Sequence, residues 1–165
     1  DHMTSDDGWR LLAIGRHTER LATLACMLEA LFENNAVSRD GGFTLLLQLF
    51  DSTITYRAYY QSRYEIPALL NLLVLDADNP RSLACVVGML RNAVARLPNA
   101  TPDLPALLQP VSATLPQLCQ RGESGTYDTL LALTSRLQSA AAALSDEIGR
   151  RYFSHSSAGA QALAA

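Results

Sequence analysis

Lysine is absent. All 13 cationic side chains are arginine, which excludes a Schiff-base lysine, a phosphate-loop lysine and a lysine general base, and leaves rigid, permanently charged forks suited to carboxylate or phosphate. Cysteine is scarce: Cys26, Cys85 and Cys119 are odd in number, far apart and never in a C-x-x-C pair. Neither a disulfide frame nor a zinc knuckle is signalled, and a reducing, cytoplasmic setting fits best. Cys26 and Cys85 sit in apolar helical runs and are expected in the core. No apolar run approaches the length of a membrane span and no secretory leader opens the chain. A glycine-rich nucleotide loop is missing, and Ser52, Ser82 and Ser154 lack a nucleophile motif. The net charge of −3 comes from interspersed acids and bases, so neither nucleic acid nor an anionic membrane is an expected partner.

What is present is helical periodicity. At 165 residues the chain suits one domain that buries roughly 70% of its unfolded surface. Residues 1–5 read as a cloning remnant and leader, 6–155 as the domain, and 156–165 as a small-residue tail. Asp6 or Asp7 caps a helix to about Asn34, and Asp40-Gly41-Gly42 marks the break after it. A second helix is expected from Phe43 to Arg63, with Phe43, Leu46, Phe50 and Ile54 on one line and Leu45, Leu49, Ser52, Tyr56 and Tyr59 on another. Pro67 opens a short apolar helix to Leu75. The run Asn79-Pro80-Arg81-Ser82 reads as a helix start, with Asn79 as cap and Pro80 in the first position. Five prolines between Pro98 and Pro116 predict a connection with short or kinked helices. A last long helix, Thr126 to His155, carries Leu130, Leu133, Leu137, Ala141, Leu144 and Ile148. No stretch alternates as a half-exposed strand should. The fold class is therefore all-α, a bundle of five to six helices with two long ones near the termini.

Three stripes turn polar partway. In the first helix the line Trp9, Leu12, Arg16, Arg20, Thr23, Met27, Ala30 is charged in its middle, with Glu19 beside it. A second line, from Leu11 and Ile14 to Leu28 and Leu31, is apolar, which predicts protein on both sides and charges that need partners. Likewise Tyr56 and Arg57 interrupt the second helix, and Arg151, Tyr152 and His155 follow the stripe of the last.

These residues resemble the alpha-E domain, an all-helical family named for a Glu-Arg motif. The matching stretches are Gly8-Trp9-Arg10 with Gly15-Arg16-His17-Thr18-Glu19-Arg20, Asp51-Ser52 with Thr55-Tyr56-Arg57, Leu75-Asp76-Ala77-Asp78-Asn79-Pro80-Arg81-Ser82-Leu83-Ala84, and Arg151-Tyr152-Phe153-Ser154-His155. The resemblance implies a bacterial domain that accompanies, or is fused to, a circularly permuted ATP-grasp partner in systems linked to peptide or amide-bond formation. The Asp6-Asp7-Gly8-Trp9-Arg10 opening resembles the fused version, as in a C-terminal domain excised from a longer chain. ATP and Mg are implied for that partner alone; no cofactor is expected on this domain.

If the helices meet at one end, Arg16, Arg20, Tyr56, Arg57, Arg81, Arg151 and Tyr152 form an Arg-rich cluster that suits an anionic, peptide-like substrate. Arg81 in a first helical turn would add the positive pole of that helix. Glu19 and His155 are the acid-base candidates of an alternative, a helical transferase or hydrolase acting on the ligation product. A third reading stays open, in which buried Glu–Arg pairs merely set the register of the bundle. Asp51, Asp76, Asp78, Asn79 and Ser82 are expected to be structural polar residues of turns and caps; metal-ligand spacing is lacking. The domain is read as an interaction module before an enzyme.

Overall fold

Apolar residues at helical spacing put nearly every element of the chain into a helix. The computed structural model describes residues 5–39 and 41–154, and no strand occurs among them. Helix α1 covers Ser5–Glu33, α2 Gly42–Leu49, α3 Thr53–Tyr60, α4 Ile66–Leu70, α5 Leu83–Ala95, α6 Asp103–Ala106, α7 Leu115–Cys119 and α8 Asp128–Ile148. Short π-helical turns extend α4 (Asn71–Leu75) and α8 (Gly149–Phe153). His155 and the tail 156–165 lie outside the described residues.

Two antiparallel helices form the spine. Leu11, Ile14, Leu21, Ala25, Leu28 and Phe32 of α1 are buried, as are Leu130, Leu133, Leu137, Ala141, Leu144 and Ile148 of α8. Each of the Leu, Ile and Phe side chains contributes about 1.5–3 kcal/mol when fully buried. At the far end of the pair the Phe32 and Tyr127 rings meet edge to face, 5.1 Å apart. Helix α5 also runs antiparallel to α1: Arg10 near the start of α1 donates to the Arg96 carbonyl that ends α5 (3.4 Å). Under these helices, Leu69, Leu70, Leu72, Leu73 and Val74 are all completely buried. Apolar residues all round a helix demand cover on every side.

The structure corrects four expectations. The helix expected from Phe43 to Arg63 is two helices, because Asp51 adopts a left-handed conformation (φ 48°), which a short polar side chain tolerates; past the break Ile54 turns outward, 85% exposed. The cap of α5 is Ser82, whose hydroxyl accepts from the Cys85 N–H (3.1 Å), and not Asn79. Cys26 is exposed rather than in the core. Finally, the Trp9-to-Ala30 line of α1 carries no second layer: Trp9, Leu12, Arg16, Thr23 and Ala30 are exposed, since α8 and α5 cover the other faces. Among the described residues, no helix is long and apolar enough to cross a membrane.

Candidate functional site

The exposed flank of α1 faces the start of α5 and the end of α2 across an open cavity of about 460 Å³. Arg16, Glu19, Arg20 and Arg81 line it, with Met27 and Leu49 as an apolar floor. Arg81 pairs with Asp51 (2.9 Å), both partly exposed. Such a pair contributes little to stability, typically under about 1 kcal/mol. The side chains of Arg16, Glu19 and Arg20 make no hydrogen bond or ion pair among the described residues. Glu19 is exposed, so the expected buried Glu–Arg pair is absent. Three guanidinium groups against Glu19 in the wall and Asp51, the partner of Arg81, leave an excess of positive charge at the open cavity. Arg16 and Arg20, one turn apart on the same helix, repel each other by a few tenths of a kcal/mol. An anion between them would relieve that repulsion.

Arg81 owes its position to the turn before α5. Asn79 is buried, and its amide donates to the Leu72 carbonyl (2.9 Å) and to Ser52 Oγ (3.3 Å). Its side-chain oxygen accepts from the Arg81 N–H (3.2 Å). Ser52 in turn donates to the Phe50 carbonyl (3.0 Å), and Ser82 to that of Asp76 (2.6 Å). The Asp76 carboxylate accepts from the Asp78 N–H (2.9 Å). The Asp51-Ser52 break and the Asp76-to-Ser82 turn thus brace each other through buried hydrogen bonds, which are costly to leave unmade. Because Ser82 is the cap, Arg81 precedes the helix rather than standing in its first turn, and the expected gain from the positive pole of that helix is absent at Arg81.

The remaining predicted site residues lie elsewhere. Tyr56 is buried; its hydroxyl donates to the Arg63 carbonyl and accepts from the Glu65 N–H (3.3 Å), which ties down the loop after α3. Burial raises its pKa. Arg57 is exposed on α3 and is not in the wall of the cavity. Arg151 is already paired: it donates to Glu147 (2.5 Å), Thr101 (2.8 Å) and Asp103 (2.6 Å). Hydrogen bonds from Arg150 and Arg151 hold the Glu147 carboxyl down at about 2. The Thr101 hydroxyl first and Arg151 second lower that of Asp103. Tyr152 donates to the Pro98 carbonyl (2.8 Å). These groups sit where α8 ends, beside the connection to α6, so the single cluster expected from the helical stripes is two separate ones.

Two features escaped the sequence reading. Glu29 accepts from Thr134 and Gln138 of α8, both at 2.9 Å, a polar bridge inside the spine whose only sequence signal is that Glu29 follows Leu28 on the α8-facing side. A wider groove of about 880 Å³ also runs between α1 and α8, lined chiefly by apolar and small residues. Its signal was the small series Gly8, Gly15, Ala22 at seven-residue spacing. Among the described residues no group of three or more His, Cys, Asp or Glu is placed to hold a metal ion.

Comparison with known proteins fits the helical architecture. Proteins of Mycobacterium tuberculosis (strain H37Rv) and Mycobacterium bovis, each named only as uncharacterized, are 27% identical to this chain over 103 residues, which is 61% of this chain and 12% of theirs. The chain therefore spans about an eighth of the length of the curated relatives it matches. No solved structure matches it. A family model, Alpha-E, described as a predicted alpha-helical domain with a conserved ER motif, matches residues 1–153; the sequence holds a single Glu-Arg dipeptide, Glu19-Arg20, and the chain belongs to that family.

Proposed function

We propose that this domain is an accessory module of a circularly permuted ATP-grasp, ligase-like system for peptide or amide-bond formation, and that the Arg16–Arg20–Arg81 cavity holds the anionic end of its peptide-like substrate. The carrying observation is that Arg16 and Arg20 face open solvent without a partner among the described residues. An Arg fork left unpaired in a concave site matches a carboxylate or acyl phosphate. ATP and Mg belong to the ATP-grasp partner in this reading, and the setting is the bacterial cytoplasm. The small share that the chain takes of its relatives' length accords with a module working inside a larger protein.

The test is titration with acetyl-alanine and with acetyl-alaninamide, which lacks the charge. The acid is expected to bind and the amide not; Arg16→Gln with Arg20→Gln is expected to weaken the acid about tenfold or more, the order of one or two charge-assisted hydrogen bonds. Equal binding of acid and amide would remove the proposal.

One observation keeps a second reading in play. Glu19 stands in the same cavity without a side-chain partner among the described residues, where a carboxylate beside Arg groups can serve as acid or base. Its suggested partner, His155, lies outside the described residues. In a transferase or hydrolase acting on the ligation product, Glu19→Gln abolishes turnover of the complete system. In the accessory role the same change removes a repelling charge and tightens acid binding a few-fold. Because Glu19 is exposed, neither outcome is confounded by loss of folding.

A further inference from the structure

The Arg cavity and the α1–α8 groove share two residues: Arg16 and Glu19 stand in the wall of both. We infer that the two form one composite site, and that its ligand is a peptide whose free carboxylate rests on the Arg cavity while apolar residues preceding it lie in the groove. This rests on the reading of the cavity as an anion site and adds the class of the substrate's body.

Three observations carry it. First, the groove is large, about 880 Å³, and its surface is supplied mainly by groups such as Leu11, Leu12, Ile148 and Phe153. Leu12 is 46% exposed, so apolar surface faces water beside the Arg cavity. Second, charge fixes the orientation. Among the described residues, Arg16 and Glu19 are the ionisable groups that line the groove, while Arg20 and Arg81 lie beyond them in the cavity; an anionic end is favoured on that side. Third, Gly8, Gly15 and Gly149 all line the groove, and a Cβ built on any of them meets nothing within 4 Å. Glycine inside a helix is less favourable than alanine, and internal packing does not call for it at these positions. A ligand backbone running close to the helix surface would.

The dimensions agree. From Arg16 back to Gly8 the helix rises about 12 Å, which matches three to four residues of extended chain at about 3.3 Å each. A long flexible segment is not needed, and a tripeptide spans the groove.

The experiment titrates the chain with acetyl-alanine, acetyl-leucyl-leucyl-alanine and the C-terminal amide of the latter, following amide shifts of α1 and α8. The long acid is expected to bind at least tenfold tighter than the short one and to shift Gly8, Gly15 and Gly149, with the long amide at least tenfold weaker than the long acid. Gly15→Leu and, on the facing wall, Ser145→Leu are expected to cut the advantage of the long acid to less than threefold; both positions are exposed, so folding is retained and circular dichroism checks it. Equal affinity of the long and short acids would overturn the apolar arm and leave the anion site standing. Equal binding of the long acid and its amide, or binding of neither acid, would overturn the anion site and this inference with it. If Gly15→Leu instead abolished self-association seen by light scattering, the groove would be a contact between copies of the chain and the inference would fall.

Discussion

The two arginine clusters use the same chemistry to opposite ends. Where α8 ends, Arg151 meets Glu147, Asp103 and Thr101, and the pKa values of both carboxyls are lowered, that of Glu147 to about 2. At the α1–α5 cavity the residue type is the same, yet Arg16 and Arg20 have no partner among the described residues. The difference lies in the supply of carboxylates: two acids converge on Arg151, whereas the cavity has Glu19, which pairs with nothing among the described residues, and Asp51 beside it, which is engaged by Arg81. A satisfied cluster ties elements together; an unsatisfied one is available to a ligand.

The largest effect is expected from loosening the turn that places Arg81. Asn79→Ala deletes the amide that satisfies the Leu72 carbonyl and Ser52 in a buried setting, and is expected to cost about 1–3 kcal/mol in urea denaturation, with anion binding weakened alongside. Unchanged stability would mean that the brace is not what fixes the turn. Next in size, Arg151→Gln is expected to leave affinity for the acetyl-alanine carboxylate unaltered, in contrast to the paired Arg16 and Arg20 substitutions; equal losses would erase the distinction between the clusters.

A titration of the carboxyl carbons sharpens it further. Glu147 has its pKa depressed from 4.5 to about 2 in the folded chain, so its stabilising contribution is complete above the unfolded value and is lost as pH falls through that interval. Arg151→Ala removes one of the two donors and is expected to move the Glu147 midpoint upward; a midpoint that stays near 2 would assign the whole effect to Arg150. The smallest expected effect is that of Asp51→Asn, under about 1 kcal/mol, because the Arg81 pair is exposed and screened.

Local sequence logic reached some of these features and not others. The α8 stripe from Leu130 to Ile148 is buried as its periodicity predicts, and the capped, proline-broken region after Leu97 forms the short helices α6 and α7. The break at Asp51 left no trace, since no glycine or proline marks it. Asn79 and Ser82 are both good capping residues, and the choice between them follows from the Leu72 carbonyl, a partner seven residues away that draws the Asn79 amide inward. The Glu19–Arg20 flank was read as enclosed because an apolar line ran beside it; helical spacing reports which residues share a face, whereas only the packing of α8 and α5 on the other faces leaves this one open.

By itself, then, the sequence determined the all-α class, the spine helices with their apolar stripes, and the Glu-Arg motif that marks the family, because each depends on residue type and spacing within one helix. The tertiary structure alone decided that Arg81 joins Arg16, Glu19 and Arg20 at an open cavity while Arg151 and Tyr152 are taken up elsewhere, because pairing between charges depends on which elements converge in space, and that is set by the long-range packing of α1 against α5 and α8.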